Sequence, residues 1–133
     1  MKVLVTGGAG YIGSVLSGML IDKGFDVTVL DRFFFGDGAL RDIKDRVKIV
    51  KDDIRWFDPK KLAGIDAVID MAALSNDPAS DLDPEKTMDI NYRGRVRVAT
   101  LAKKYKVNKY LLAFICKRLW LYQYNIRYLQ SLK

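Results

Sequence analysis

With 133 residues, half of them apolar and 29% charged, the chain suits one globular domain around one core. It is too short for two ordinary domains and is not composed like a disordered segment. One cysteine (Cys116) and no histidine exclude an internal disulfide, a Cys- or His-built metal site, a Ser-His-Asp triad and imidazole acid–base chemistry, so no metal is expected. The formal net charge of +7 invites a nucleic-acid reading, which its distribution weakens: residues 1–113 hold 19 Lys and Arg against all 16 acids, whereas residues 114–133 hold Lys117, Arg118, Arg127 and Lys133 and no acid.

Met1 is followed by Lys-Val-Leu-Val and a glycine cluster, without the longer apolar stretch and small-residue cleavage site of a signal peptide. No apolar run is long enough to span a bilayer. A cytoplasmic chain with no membrane or nucleic-acid partner is therefore expected. Residues 2–6 read as a buried strand ending in glycines. Residues 11–23 read as a helix with Ile12, Val15, Leu16, Met19 and Leu20 inward and Gly24 as its stop. Second, third and fourth strands follow at 27–30, 47–50 and 67–71, and Asp31 closes the second. Phe33, Phe34 and Phe35 stand in a loop, with local packing favoured over a ligand rim. Residues 84–105 predict a long helix with Ile90, Val98, Leu101 and Ala102 inward, Asp83 as N-cap and Pro84 at the first helical position. A fifth strand opens at 110–113. Mostly apolar strands alternating with helices predict an α/β fold, a doubly wound parallel sheet of the Rossmann type in strand order 3-2-1-4-5.

Between the first strand and the first helix lies Thr6-Gly-Gly-Ala-Gly-Tyr-Ile-Gly13. Gly8, Gly10 and Gly13 satisfy G-x-G-x-x-G, and Gly7, Gly10 and Gly13 satisfy G-x-x-G-x-x-G. The first glycine permits a turn that side chains would obstruct. Gly10 lets the backbone approach a pyrophosphate, and Gly13 lets the helix pack closely on the strand. The helix N-terminus, where Tyr11 and Ile12 stand, offers free N–H groups and partial positive charge to phosphates. Asp31, 18 residues past Gly13, matches the spacing of about 20 for a ribose-binding acid. A carboxylate there accepts from ribose hydroxyls and repels a 2′-phosphate, which favours NAD. The adjacent Arg32 can pair with a phosphate, so NADP is the alternative. The bland alternative to the whole motif is a tight turn with a solvated Asp.

These residues resemble the extended short-chain dehydrogenase/reductase family. Its NAD-dependent epimerase/dehydratase group includes UDP-galactose 4-epimerase and dTDP-glucose 4,6-dehydratase. The resemblance covers residues 1–113. It rests on the glycine turn, on Asp53-Ile54 after the third strand, on Asp70-Met-Ala-Ala-Leu74 after the fourth, and on Asn91-Tyr-Arg-Gly94 in the long helix. It implies NAD as cofactor, with Asp53 bonded to the adenine amino group and Ile54 packed on the ring. A solvated strand-end acid is the other reading of Asp53. It also implies Met71, Ala72 and Ala73 beside the cofactor, with Asp70 where His is common. Ser75 to Pro78 would cover the nicotinamide side, and Asn91 would support the site; a helix-surface Asn with no ligand role, and simple packing for Ala72 and Ala73, are the other readings. The full-length family transiently oxidises a nucleotide sugar with tightly bound NAD, so a nucleotide-sugar partner is implied only for a full-length protein.

The family's chemistry implies a Tyr-x-x-x-Lys pair and a Ser or Thr after the fifth strand, in a Ser-Ser-x-Ser-Val-Tyr-Gly-like run. The Tyr-x-x-x-Lys found here, Tyr105 to Lys109, falls in the turn entering the fifth strand, opposite the ligand end of such a sheet. It reads as a coincidence, and no catalytic residue is assigned. Past Ala113 the family run is replaced by Phe114-Ile-Cys-Lys-Arg-Leu-Trp-Leu-Tyr122. A reading-frame slip accounts for the replacement. Permitted codons TTC ATC TGC AAG CGT TTA TGG TTA TAC, read without the first T, give Ser-Ser-Ala-Ser-Val-Tyr-Gly-Tyr. An intact upstream frame with no Tyr-x-x-x-Lys continuation downstream would refute the slip. The chain thus divides into an NAD-binding half (1–113) and a non-family tail (114–133). Leu119, Tyr122, Ile126 and Leu129 in that tail have helical spacing, suited to covering a sheet edge or packing on a second copy as a homo-oligomer, which is favoured over a surface-lying basic helix touching nucleic acid or acidic membrane. Two other readings stand beside the inactive-fragment one: a small NAD-binding non-catalytic module, and an S-adenosylmethionine-dependent methyltransferase, which also pairs a glycine turn with an acid after the second strand.

Overall fold

The computed structural model describes residues 1–74 and 83–113. The expectations for Ser75 to Pro78 and for the tail, including its helix and any association through it, lie outside the described residues. Five parallel strands form one sheet: β1 (Lys2–Thr6), β2 (Asp26–Asp31), β3 (Lys48–Lys51), β4 (Ala67–Asp70) and β5 (Lys109–Leu112). Their order is β3-β2-β1-β4-β5, as expected for the doubly wound fold. The central strands are buried on both faces, which is why they read as near-continuous apolar runs. Alternation sorts their side chains. Val3, Val5, Val27, Val29 and Ala67 join Leu40 on one face. Leu4, Leu30, Val50 and Val68 join Ile54, Phe57, Leu62, Ile90, Val98 and Ala102 on the other.

The first face is covered by α1 (Tyr11–Asp22) and by a 3-10 stretch, Gly38–Arg46, for which the sequence reading predicts no element. The second is covered by a 3-10 turn, Pro59–Leu62, and a helical run of three parts: α2 (Pro84–Met88), a π-turn (Asp89–Gly94) and α3 (Arg95–Lys104). Asp83 caps this run as expected, its Oδ1 accepting from the Lys86 N–H at 2.9 Å. Ile90, Val98 and Ala102 are buried, with Leu101 packed at the margin. The uninterrupted helix of the sequence reading is corrected by the π-turn.

The inward face expected for α1 is also corrected. Gly13 and Ser17 are buried, whereas Ile12, Val15 and Met19 are 50%, 60% and 55% exposed. The helix lies so close to the β1 turn that only small residues fit between them, so the larger apolar residues are displaced to its flank. Leu20 still packs against the core. Of the loop aromatics, Phe33 packs on the core, while Phe34 and Phe35 are exposed and meet edge-to-face at 5.3 Å.

Candidate dinucleotide-binding site

At the carboxyl end of β1 the chain turns at Gly7, whose φ of +67° lies in the left-handed region. A Cβ there would come within 2.8 Å of the Ala72 backbone, and one at Gly13 would strike the Gly7 carbonyl and approach Gly8 Cα to 2.7 Å. The turn is held by Gly7 N–H to Leu30 O at 2.9 Å and Gly10 N–H to Gly7 O at 3.1 Å. Gly10 caps α1 without a side-chain hydrogen bond. The N–H groups of Tyr11, Ile12 and Gly13 therefore have no intrahelical acceptor and point out of the helix end. The Tyr11 side chain is 92% exposed.

Asp31 ends β2 beside this turn. Its Oδ2 accepts from Ala9 N–H at 3.0 Å and its Oδ1 from Phe33 N–H at 2.8 Å. The second contact holds Phe33 at a φ of +57°. Each oxygen retains acceptor capacity for a ligand hydroxyl.

Asp53, after β3, is 4% exposed. Its Oδ1 accepts from Arg55 N–H and Nε at 2.9 and 3.1 Å, and its Oδ2 from Arg55 Nη2 at 2.9 Å. Arg32 Nε forms an ion pair with the same Oδ2 at 3.1 Å. Burial pushes the Asp53 carboxyl up, but the Arg55 hydrogen bonds and the Arg55 and Arg32 charges override it and hold it below the usual carboxylate range. Arg55 also pairs with Asp89 at 2.9 Å and lies 4.0 Å from the Trp56 ring. Its guanidinium is held further in the charged form, by the Asp53 hydrogen bonds first and by those to Asp89 against a burial penalty. Ile54 is turned into the core against Gly94 and is 4% exposed.

The chain leaving β4 is clamped. Asp70 is fully buried and accepts from Thr6 Oγ1 at 2.5 Å and Tyr110 OH at 2.6 Å. Having given its one proton to Asp70, the Thr6 hydroxyl accepts from Met71 and Ala72 N–H at 3.1 and 3.2 Å. Arg95 Nε donates to Ala72 O at 3.0 Å. Asn91 accepts from Leu74 N–H through Oδ1 and donates to Leu74 O through Nδ2, both at 2.8 Å. Burial, then the Asp70 hydrogen bond and charge, raise the Tyr110 phenol well above its usual range.

Gly7, Gly10, Tyr11, Ile12, Gly13, Asp31, Met71 and Ala72 thus converge on the carboxyl ends of β1, β2 and β4. Arg32 and Asp53 meet beside them at the ends of β2 and β3, and Ala73 is exposed. The sequence reading missed Thr6, Arg55, Arg95 and Tyr110 as site-forming residues. The available signals were a hydroxyl residue ending β1 and an arginine four positions after Asn91. Lys109 opens β5 opposite Ala67, at the amino end of the sheet, and Tyr105 packs on the second-face core. The Tyr105–Lys109 pair is therefore remote from the turn, as expected. Among the described residues, no group of three or more His, Cys, Asp or Glu could hold a metal ion, and no helix is long and apolar enough to cross a membrane.

A family model for the NAD dependent epimerase/dehydratase family matches residues 3–114. The chain belongs to this family. It is 42% identical over 100 residues to UDP-glucose 4-epimerase of Lactobacillus helveticus, covering 72% of this chain and 30% of that one. It is 30% identical over 108 residues to UDP-glucuronic acid decarboxylase 1 of Danio rerio, covering 77% and 25%. Among solved structures, UDP-glucose-4-epimerase from Stenotrophomonas maltophila with bound NAD and formylated UDP-arabinopyranose superimposes with a TM-score of 0.74 at 31% identity, over 84% of this chain and 36% of that one. A dTDP-glucose 4,6-dehydratase from Streptomyces venezuelae with NAD bound gives 0.74 at 28% identity, over 83% and 38%. The chain spans between 23% and 37% of the length of seven curated relatives it matches. Neither the non-catalytic module nor the methyltransferase reading finds support in these comparisons.

Proposed function

We propose that this chain binds NAD at the carboxyl end of its sheet, as the cofactor-holding portion of a nucleotide-sugar epimerase/dehydratase. The observation that carries the reading is the 3.0 Å hydrogen bond from Ala9 N–H to Asp31, which fixes a ribose-competent carboxylate beside an uncapped helix N-terminus. In this reading the N–H groups around Tyr11 and Ile12 take the pyrophosphate, Gly7 and Gly10 keep the approach open, and Gly13 seats the helix. Asp31 accepts from the ribose. Asp53 takes the adenine amino group, with Ile54 behind it, and the clamped Met71-Ala72-Ala73 segment forms a wall. Bound NAD supplies a hydride acceptor, and the chain's own residues bind and orient it.

No turnover of a nucleotide sugar is expected from this chain alone. Its Tyr-x-x-x-Lys pair lies at the wrong end of the sheet, and the Ser-rich run expected after β5 is absent from the sequence. The family match running to residue 114 supports a boundary there and the out-of-frame reading of the tail, which the DNA around codon 114 tests. Calorimetric titration with NAD, NADP and S-adenosylmethionine tests the binding reading. NAD should bind most tightly, and Asp31→Ala should weaken it. Absence of NAD binding, or equal binding by S-adenosylmethionine, refutes it. Turnover by a mass-verified sample refutes the inactivity.

A further inference from the structure

Asp53 and its two arginines carry an inference that rests on the NAD reading and goes past it. A carboxylate has about four acceptor sites. Three of those on Asp53 are filled by hydrogen bonds from Arg55, and Arg32 Nε stands 3.1 Å from Oδ2, where the fourth lies, as an ion pair. The two arginines are not held alike. Arg55 is 13% exposed and is tied to Asp53, to Asp89 and to the Trp56 ring. The Arg32 side chain is 42% exposed, and Asp53 is its one partner among the described residues. The acceptor site on Asp53 that Arg55 leaves open is on Oδ2, where Arg32 stands, so an amino group donating there competes with the Arg32 ion pair.

We propose that Arg32 is a latch over the adenine subsite, displaced from Asp53 when an adenine bearing its exocyclic amino group binds. The exchange trades an ion pair for a hydrogen bond on Oδ2, so the buried carboxylate keeps a cation or a donor at that oxygen in both states. It also makes Arg32 a specificity-determining residue that narrows the margin between the two purines, because only the amino-bearing base has to open the ion pair. A purine without the amino group has nothing to offer Oδ2 in return for the latch, and it leaves the ion pair closed.

The test compares NAD with nicotinamide hypoxanthine dinucleotide, which has the same charge but carries a carbonyl where adenine carries its amino group. Titration of the 133-residue chain and of Arg32→Ala by calorimetry gives four affinities. The ratio of NAD to hypoxanthine-dinucleotide affinity should rise about two- to fivefold in Arg32→Ala, the scale of one partly exposed ion pair. An unchanged or lower ratio overturns the latch while leaving NAD binding intact. No NAD binding by the unmodified chain overturns the underlying reading as well, so the two failures are distinct. If Arg32→Ala does not fold, the Arg32 Nε–H resonance in the 15N-labelled unmodified chain decides. It should shift on addition of NAD and stay in place with the hypoxanthine dinucleotide, and a resonance unmoved by saturating NAD overturns the proposal.

Discussion

Thr6→Val replaces one buried hydroxyl by a methyl of nearly the same shape, and the structure shows what that hydroxyl holds. It gives its proton to the buried Asp70 and is the acceptor for Ala72 N–H, while Met71 N–H keeps a second acceptor in the Thr6 carbonyl at 3.2 Å. The substitution thus orphans one amide, at about 1–3 kcal/mol. It also removes one charge-assisted hydrogen bond from a fully buried carboxylate, at about 1.5–3 kcal/mol. The expected loss is about 3–5 kcal/mol, a large part of the roughly 5–15 kcal/mol that holds an ordinary domain together. Thr6→Ser keeps the hydroxyl and loses a methyl, at about 1 kcal/mol. Urea denaturation followed by circular dichroism measures both variants, and NAD titration of the protein that remains folded measures the wall. Tyr110 donates to the other oxygen of the same carboxylate, so Thr6→Val and Tyr110→Phe should be non-additive by about 1 kcal/mol or more. A Thr6→Val variant within about 1 kcal/mol of Thr6→Ser would refute the reasoning, because the clamp would then not depend on the hydroxyl.

Other variants probe separate parts of the fold. Ser17 is fully buried with an Oγ that has no hydrogen-bond partner among the described residues, so Ser17→Ala should raise the urea midpoint by the equivalent of about 1 kcal/mol at an unchanged slope. Gly13→Ala drives a Cβ into the Gly7 carbonyl and Gly8 Cα, both backbone atoms that cannot rotate aside. It should cost about 3 kcal/mol or more and abolish NAD binding, read by the same melts and titrations. The Tyr110 phenol titrates higher in the folded chain than in the unfolded one. Its contribution is therefore fully present below the unfolded value of about 10 and is lost as pH rises beyond it, with a slope of up to about 1.4 kcal/mol per pH unit. Urea midpoints between about pH 9 and 11 should fall more steeply for the unmodified chain than for Tyr110→Phe.

The parts of this fold that were legible in the sequence are those encoded within a few consecutive residues. The run Lys2–Thr6 into glycines, the acid after the second strand, and Asp83-Pro84 before a helix each carry their own local physics, and each stands where its spacing placed it. The α1 face was misread because apolar spacing reports which side of a helix is greasy, not how close the helix lies to its sheet. At the distance set by Gly13, size outweighed hydrophobicity, and Ser17 took the place that Val15 or Met19 would otherwise fill. The π-turn carries no local signal at all. It lies at Asn91, four residues before Arg95, both bonded to the chain leaving β4, so its cause is in residues roughly twenty positions upstream. Arg55 was invisible for a related reason. A charged residue two positions after an acid is common on surfaces, and only burial of Asp53 makes it a structural partner.

These contacts bear on how binding and chemistry divide within the family. The groups assigned to the dinucleotide come from the β1 turn, the ends of β2 and β3, and the chain leaving β4. Each is immobilised by partners between Thr6 and Tyr110: the turn by Leu30, Asp31 by Ala9 and Phe33, Asp53 by Arg55, and Ala72 by Thr6 and Arg95. A wall whose polar groups are already satisfied pays little ordering entropy when a ligand arrives. Cofactor affinity should thus be carried by this half of the family fold, and residues outside it should change turnover more than NAD affinity. Grafting residues 1–113 onto the remainder of a family epimerase tests this. NAD affinity should follow the origin of the first half and kcat that of the second, whereas an NAD affinity that followed the second half would show the wall to be organised from outside.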